Sequence, residues 1–299
     1  MSTSSGLLLI DKPRGLTSHD VVARVRLVMN ERRVGHAGTL DPMATGLLVL
    51  AVGPSTRLLR FAQSEIKRYE GVVTFGVRTD SLDADGVVVE RRAVPMLTIE
   101  SVNALAASML GSQSQIPPMV SALKIKGKRL HELARAGVVV EREARAITVQ
   151  SFSLAPSTVL NEWSFDVTCS VGTYVRVLLS DLAEGLGTIG HLSALRRLSS
   201  GPHHVDEALP LDQLEERVRE GFAVLQPPRA FVTELEEIVV SAEDERRLRM
   251  GQRVSLDGPR EDEIAALSAA GSLVAVLRRR GETWQPSVVL PDEQLNERE

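Results

Sequence analysis

The spacing of apolar and polar positions changes period several times along the chain, and each change marks an element. Leu7 to Ile10 form a short continuous apolar run, fit for a buried strand. Ser18 is then placed to cap a helix whose apolar positions Val21, Val22, Val25, Val28 and Met29 repeat with helical period. After a glycine-rich stretch from Val34 to Gly46, Leu47 to Val52 reads as a second buried strand. Tyr69, Gly71, Val73, Phe75 and Val77 alternate with Glu70, Thr74 and Arg78, the two-residue period of a strand. The cleanest alternation runs from Trp163 to Val171. A helix with Val175, Leu178, Leu179, Leu182 and Leu186 on one face follows, and Gly187 is its expected C′ residue. Strands and helices mixed without regular βαβ repetition predict an α+β fold with a mixed or antiparallel sheet.

Gln226-Pro227-Pro228 is the best linker candidate. Beyond it, strand-like pieces at Glu237 to Val240, Arg253 to Leu256, Leu273 to Arg278 and Ser287 to Leu290 surround one helical pattern, which predicts a small β-rich unit. The polar end from Asp292 to Glu299 is expected to fray.

Composition narrows the function classes. With 299 residues, 43% hydrophobic and 25% charged, the chain reads as a folded protein and not a disordered or collagen-like one. A single cysteine supplies neither an internal disulfide nor a thiolate zinc site. The N-terminal apolar run is too short for a signal-peptide core, and no run of about 18 apolar residues exists, so the expected location is cytoplasmic. The net charge of −4 hides an asymmetry: residues 1–200 carry 23 Lys+Arg against 18 Asp+Glu, and residues 201–299 carry 12 against 21. Lys124 to Arg145 alone hold seven basic residues against three glutamates. A phosphate backbone responds to such a local stripe. On charge alone, a solvated surface explains it too.

Several motifs have bland explanations. Gly185-Leu-Gly187-Thr-Ile-Gly190 spells a dinucleotide fingerprint but follows a helix instead of a strand, so it reads as a helix C-cap and loop. Asp80 to Gly86 faintly resembles a calcium loop, yet Arg92 stands where the bidentate Glu belongs, leaving a polar turn between two strands that is free to line a cleft. His203-His204 has no partner at ligand spacing and reads as a surface loop; no metal site is expected. The segment Arg33 to Gly46 differs in kind: three glycines, with Pro42 after Asp41, make a constrained loop of the sort that carries catalytic groups. Taken by itself, Asp41 would serve equally well in a structural Asx turn.

His36-Ala-Gly-Thr-Leu-Asp41-Pro-Met-Ala-Thr-Gly46, Asp11-Lys12-Pro13 with Gly15-Leu-Thr-Ser18, Lys67-Arg68-Tyr69, Thr79-Asp80 through Gly86, Gln115-Ile-Pro-Pro-Met119 and Gly172-Thr-Tyr174-Val-Arg176 span roughly residues 6–205. Together they resemble the TruB family of bacterial tRNA pseudouridine-55 synthases. The resemblance implies a pseudouridine synthase fold over residues 1–228, a mixed and largely antiparallel sheet with flanking helices and an RNA-clamping segment at about 119–146. A PUA-like β-barrel over 229–292 and a tail at 293–299 would follow. The implied activity is isomerisation of one uridine in the T-loop of tRNA, by a monomer with no cofactor and no obligatory protein partner.

By the same resemblance Asp41 is the nucleophile. A carboxylate suits a reaction in which a group must hold an intermediate and then leave, although attack at C6 of the base or C1′ of the ribose stays open. Arg176 would pair with Asp41 and keep it charged. Tyr69 would stack on the base and assist proton removal from C5, and Tyr174 and Leu195 would contact substrate. His36 would stand at the site of the flipped base, since a base inside a folded loop must leave its stack before chemistry. Lys12, Lys124, Lys126 and Arg129 are the phosphate-binding candidates. Val120 and His131 stand where the family has Tyr, which bears on RNA grip. The rivals are a guide-RNA-dependent synthase, a tRNA-folding chaperone and, on Gly185 to Gly190, a nucleotide-dependent oxidoreductase.

Overall fold

The computed structural model describes residues 5–63, 66–121, 124–125, 128–129, 138, 140–258 and 261–291. In chain order the elements begin with β1 (Gly6–Lys12), α1 (Ser18–Met29), β2 (Val34–Ala37), β3 (Thr45–Val52), β4 (Ile66–Phe75), β5 (Val77–Thr79), β6 (Val88–Arg91), α2 (Ile99–Ser108) and β7 (Gly111–Gln115). Then come β8 (Lys124–Ile125), β9 (Lys128–Arg129), β10 (Arg145–Pro156), β11 (Glu162–Ser170), α3 (Val175–Gly185), β12 (Gly190–Ser200), β13 (His203–His204), β14 (Leu209–Pro210) and α4 (Leu214–Arg219). The chain closes with β15 (Glu236–Val239), α5 (Ala242–Arg249), β16 (Glu263–Leu267), β17 (Leu273–Arg280) and β18 (Thr283–Val289).

Ten of these strands form one mixed sheet, in the order β14-β1-β3-β12-β4-β11-β10-β7, with β2 paired to β3 and β13 to β12. Most pairings are antiparallel, while β12 meets β3 in parallel at Arg196↔Thr45 and Arg197↔Gly46. The apolar runs of β1 and β3 are continuous because both of their faces are covered. Leu7, Leu9, Leu47 and Val49 pack on Phe231, Ala265, Leu267 and Val276 of the C-terminal unit. Leu8, Ile10, Leu48 and Leu50 pack on Val21, Val22 and Val25 of α1 and on Leu214. By contrast β4 and β11 alternate: Val73, Phe75, Trp163, Phe165 and Val167 face Leu178, Leu179 and Leu182 of α3 and Val102 and Ala106 of α2. The C-terminal unit is a four-stranded sheet, β15-β16-β17-β18, with a core of its own around Trp284, Leu248 and Val274.

The expected α+β class and mixed sheet are therefore present, with local corrections. Thr17, not Ser18, caps α1, in a capping box with Asp20. Part of the glycine-rich stretch is strand, because β2 pairs antiparallel with β3 from Val34↔Val52 to Ala37↔Val49. His203-His204 is the short strand β13, and His203 is buried. The linker candidate is pinned, since Gln226 exchanges backbone hydrogen bonds with Leu7 at 2.8 and 2.9 Å. Arg253 to Leu256 contributes one bridge, Val254↔Trp284, instead of a strand. The unforeseen β16 is alanine-rich, and pairing on both of its edges overrides its helical preference. Gly187, with φ +79°, closes α3 as expected, and no strand leads into it.

Candidate active site

The loop joining β2 to β3 carries Asp41 and is anchored from several directions. Ser18, freed from capping, accepts from Leu40 N–H at 2.9 Å and donates to Leu40 O at 3.2 Å. Gly15 N–H donates to Pro42 O at 2.8 Å. Lys12 Nζ donates to Leu16 O, Pro13 O and Pro42 O at 2.7, 3.0 and 3.4 Å. From β12, Arg197 donates to Gly38 O at 3.0 Å and to Leu47 O at 2.7 Å. Gly46 is required at the end of the loop: its φ is +97°, and a Cβ there would sit 2.3 Å from Arg197 O.

Arg176 occupies the first turn of α3, two residues after the N-cap Tyr174, and is 3% exposed. Its Nε meets Asp41 Oδ2 at 3.0 Å and its Nη1 meets Asp83 Oδ2 at 3.1 Å. Its remaining donors reach Ser81 O at 2.8 Å and Val120 O at 3.0 Å. Asp83 comes from the polar turn between β5 and β6, is 5% exposed, and accepts from Ser81 Oγ at 2.6 Å and Asp85 N–H at 3.1 Å. One guanidinium thus bridges two carboxylates in opposite states of use. Asp83 has its oxygens occupied, whereas the Asp41 side chain is 36% exposed. Burial pushes the Asp41 carboxyl above the usual carboxylate range, and Arg176 works against that rise.

Asp41 opens into a cavity of about 330 Å³ whose walls include Lys67, Tyr69, Tyr174, Arg176 and Leu195. Tyr69, on the inward face of β4, is 8% exposed, and burial pushes its phenol up. The Tyr174 backbone is clamped by Gln115, whose Oε1 accepts from Tyr174 N–H at 2.8 Å and whose Nε2 donates to Tyr174 O at 3.2 Å. A larger groove of about 590 Å³ crosses the sheet between Glu70, Asp166 and Arg196 and holds none of the Asp41, Arg176 and Asp83 group. Among the described residues no group of His, Cys, Asp and Glu is arranged to hold a metal ion.

The structure thus brings together Asp41, Tyr69, Arg176, Tyr174 and Leu195, and leaves others apart. His36 lies on β2 opposite Leu50, edge-on to the His19 ring at 5.6 Å, and is not a wall of the Asp41 cavity. Burial lowers its pKa to about 4, so the ring is neutral. Lys12 requires a correction, because it is fully buried and its ammonium is spent on loop carbonyls instead of facing a phosphate. Lys124 and Arg129 pair as backbone in the β8–β9 hairpin, while their side chains, Lys126 and His131 lie outside the described residues. Val120 touches the site only through its carbonyl, which any residue supplies, so the missing Tyr there leaves Arg176 supported. Sequence reasoning missed Asp83, Lys67 and Arg197. The cue for Asp83 was present in the aspartate-rich turn, and Lys67 stood in the same motif as Tyr69 without a role read for it; Arg197 carried no local cue.

The family described as TruB family pseudouridylate synthase (N terminal domain) matches residues 26–175, and the one described as tRNA Pseudouridine synthase II, C terminal, matches residues 236–291. The chain is 40% identical over 293 residues to tRNA pseudouridine synthase B of Thermobifida fusca (strain YX), covering 96% of this chain and 98% of that protein. It is 41% identical over 301 residues to the protein of that name from Leifsonia xyli subsp. xyli (strain CTCB07), covering 97% and 98%. Among solved structures, a Cbf5-Nop10-Gar1 complex superimposes with a TM-score of 0.74 at 22% identity, over 98% of this chain and 87% of that one. An H/ACA RNP bound to a substrate RNA containing 2'-deoxyuridine gives a TM-score of 0.72 at 19% identity, over 96% and 86%. At such identities these two likenesses speak for the fold alone.

Proposed function

This chain belongs to the TruB family of pseudouridylate synthases, and from that premise we propose that it isomerises uridine 55 in the T-loop of tRNA to pseudouridine. The observation that carries the reading is the bridge from Arg176 to Asp41 and Asp83 at the wall of a nucleoside-sized cavity, in a chain about 40% identical throughout its length to proteins named for this reaction. Asp41 is the nucleophile: its carboxylate opens into the cavity while Arg176 holds it charged and aimed. Tyr69 and Leu195 enclose the flipped base between β4 and β12, and Tyr174 closes the cavity at the start of α3. His36 fits a place in the stack that the base vacates, because a neutral ring is cheaper to insert than a charged one. Lys124, Lys126 and Arg129 grip the RNA backbone within a clamping segment at about 119–146. The catalytic domain is residues 1–228 and the PUA-like domain 229–292, and the enzyme acts as a monomer on bare tRNA.

Tritium release from C5 of [5-³H]uridine-labelled, unmodified tRNA transcript tests the reading, with wild type beside Asp41→Asn and no other component. Stoichiometric release by wild type and none by the variant is expected. Folded wild type that binds the transcript without releasing tritium would refute it.

A further inference from the structure

Lys67 is the charged wall of the cavity that the reading above leaves unused. It lies on the inward face of β4 two residues before Tyr69, so both side chains point the same way into the space above Asp41. It is 7% exposed, and among the described residues no carboxylate or hydrogen-bond acceptor pairs with its ammonium. The neighbouring Cys169 thiol is pushed up to about 11 by burial and stays neutral. Arg197, a second buried cation, stands beside it, with Nε and Nη2 donating to backbone carbonyls and Nη1 given to none. Both approach the catalytic loop at Gly38, where a Cβ would lie 2.8 Å from Lys67 Nζ and 3.4 Å from Arg197 Nη1. The Lys67 side chain is buried and its nitrogen reaches the cavity, and burial with the push from Arg197 brings its pKa down to about 8, a cost that an acceptor entering the cavity would relieve. The missing acceptor is therefore to be sought in what enters the cavity.

We propose that Lys67 is a further catalytic residue, whose ammonium donates to a carbonyl oxygen of the flipped uracil and holds the negative charge that collects there during rearrangement. The proposal rests on the pseudouridine synthase reading of the site. Either route of attack places charge on those oxygens. If the Asp41 carboxylate displaces the base from C1′, the C1′–O bond forms as C1′–N1 breaks, and the N1 electron pair spreads over O2 and O4. If it adds at C6, the C6–O bond forms and the C5–C6 pair moves toward O4. The later loss of the C5 proton and gain of one at N1 balance, and Lys67 keeps its own proton throughout. A phosphate is the less suitable acceptor, because the RNA backbone stays outside while this nitrogen is enclosed with the base.

The test compares full-length wild type, Lys67→Met and Lys67→Arg by single-turnover tritium release from unmodified tRNA transcript, with filter binding of the same RNA and thermal melts. Lys67→Met should slow release about 10²-fold at saturating enzyme while tRNA affinity stays within about twofold, the signature of a donor used only as charge develops. Lys67→Arg, which retains a donor, should recover much of that loss. If Lys67→Met fails to fold, Lys67→Gln carries the same comparison. Unchanged release overturns the proposal. So does weaker binding with a salt slope shallower by about one and full speed at saturation, which would make Lys67 a phosphate ligand. A silent wild type would instead sink the pseudouridine synthase reading, and this proposal with it.

Discussion

Asp83→Asn removes one charge from the group that aims the nucleophile while leaving its shape. Arg176 is 3% exposed and held at 3.0 Å by Asp41 and 3.1 Å by Asp83. Removing one partner of a buried ion pair costs about 3–5 kcal/mol, chiefly by stranding the other charge. Here Asp41 remains to compensate Arg176, so the lower end, about 3 kcal/mol, is expected. Catalysis should suffer separately. The guanidinium is placed by opposed pulls, and losing one draws it toward Asp41, where a misplacement near 1 Å costs about 10²-fold in rate. Urea unfolding measures the first effect and single-turnover tritium release the second. A double variant, Asp83→Asn with Arg176→Met, should be less destabilised than the sum of its parts, because the stranded charge is gone. A stability loss under about 0.5 kcal/mol together with full-speed release would refute the reasoning. It would mean that α3 and the carbonyls of Ser81 and Val120 suffice to place Arg176.

Gly46→Ala should cost more than about 4 kcal/mol or prevent folding, since the new Cβ meets the backbone of Arg197 at a positive φ; an unchanged urea midpoint would contradict this. Burial holds the His36 pKa near 4 against an ordinary 6.5, so between those values the unfolded chain binds a proton that the folded chain refuses. Stability should therefore fall as pH drops through that window, and His36→Gln should flatten the slope in urea titrations at stepped pH. Lys12→Met should lower the rate of release and leave the salt dependence of tRNA binding unchanged, because its ammonium braces the Pro42 loop; a slope shallower by about one would restore it as a phosphate contact.

What the sequence revealed and what it hid follow one physical rule. Periodicity reports local burial, so β1, α1, β3, β4, β11 and α3 were legible where each presents a regular face to a core. The same signal gave no strand at residues 263–267, whose alanines carry little strand preference until both edges are paired. Short motifs carried Asp41, Tyr69 and Arg176, whose neighbours in sequence mark them. Asp83 was visible only as a polar turn, since its role is defined by Arg176, 93 positions away in the chain, as the ion pair of these two residues shows. Lys12 was misjudged for a related reason. An ammonium next to proline in a glycine-containing loop looks exposed, and only the tertiary fold shows that three carbonyls enclose it.

The site is also inseparable from the seam of the sheet. Lys12, Lys67, Arg176 and Arg197 are all buried around the loop that bears Asp41, against two carboxylates, Asp41 and Asp83. Such an excess of buried cations opposes folding unless each charge is answered by dipoles, partners or a ligand. Lys12 and Arg197 are answered by backbone carbonyls, and those carbonyls belong to the catalytic loop and to β3. Arg197 moreover sits where β12 runs parallel to β3, with Gly46 opposite, so one residue both closes the sheet and fixes the loop. A substitution there cannot alter stability and leave the position of Asp41 untouched. Lys67 is the cation that no carbonyl or carboxylate among the described residues answers, and it is the one whose removal should separate the two: chemistry lost, fold and RNA grip retained.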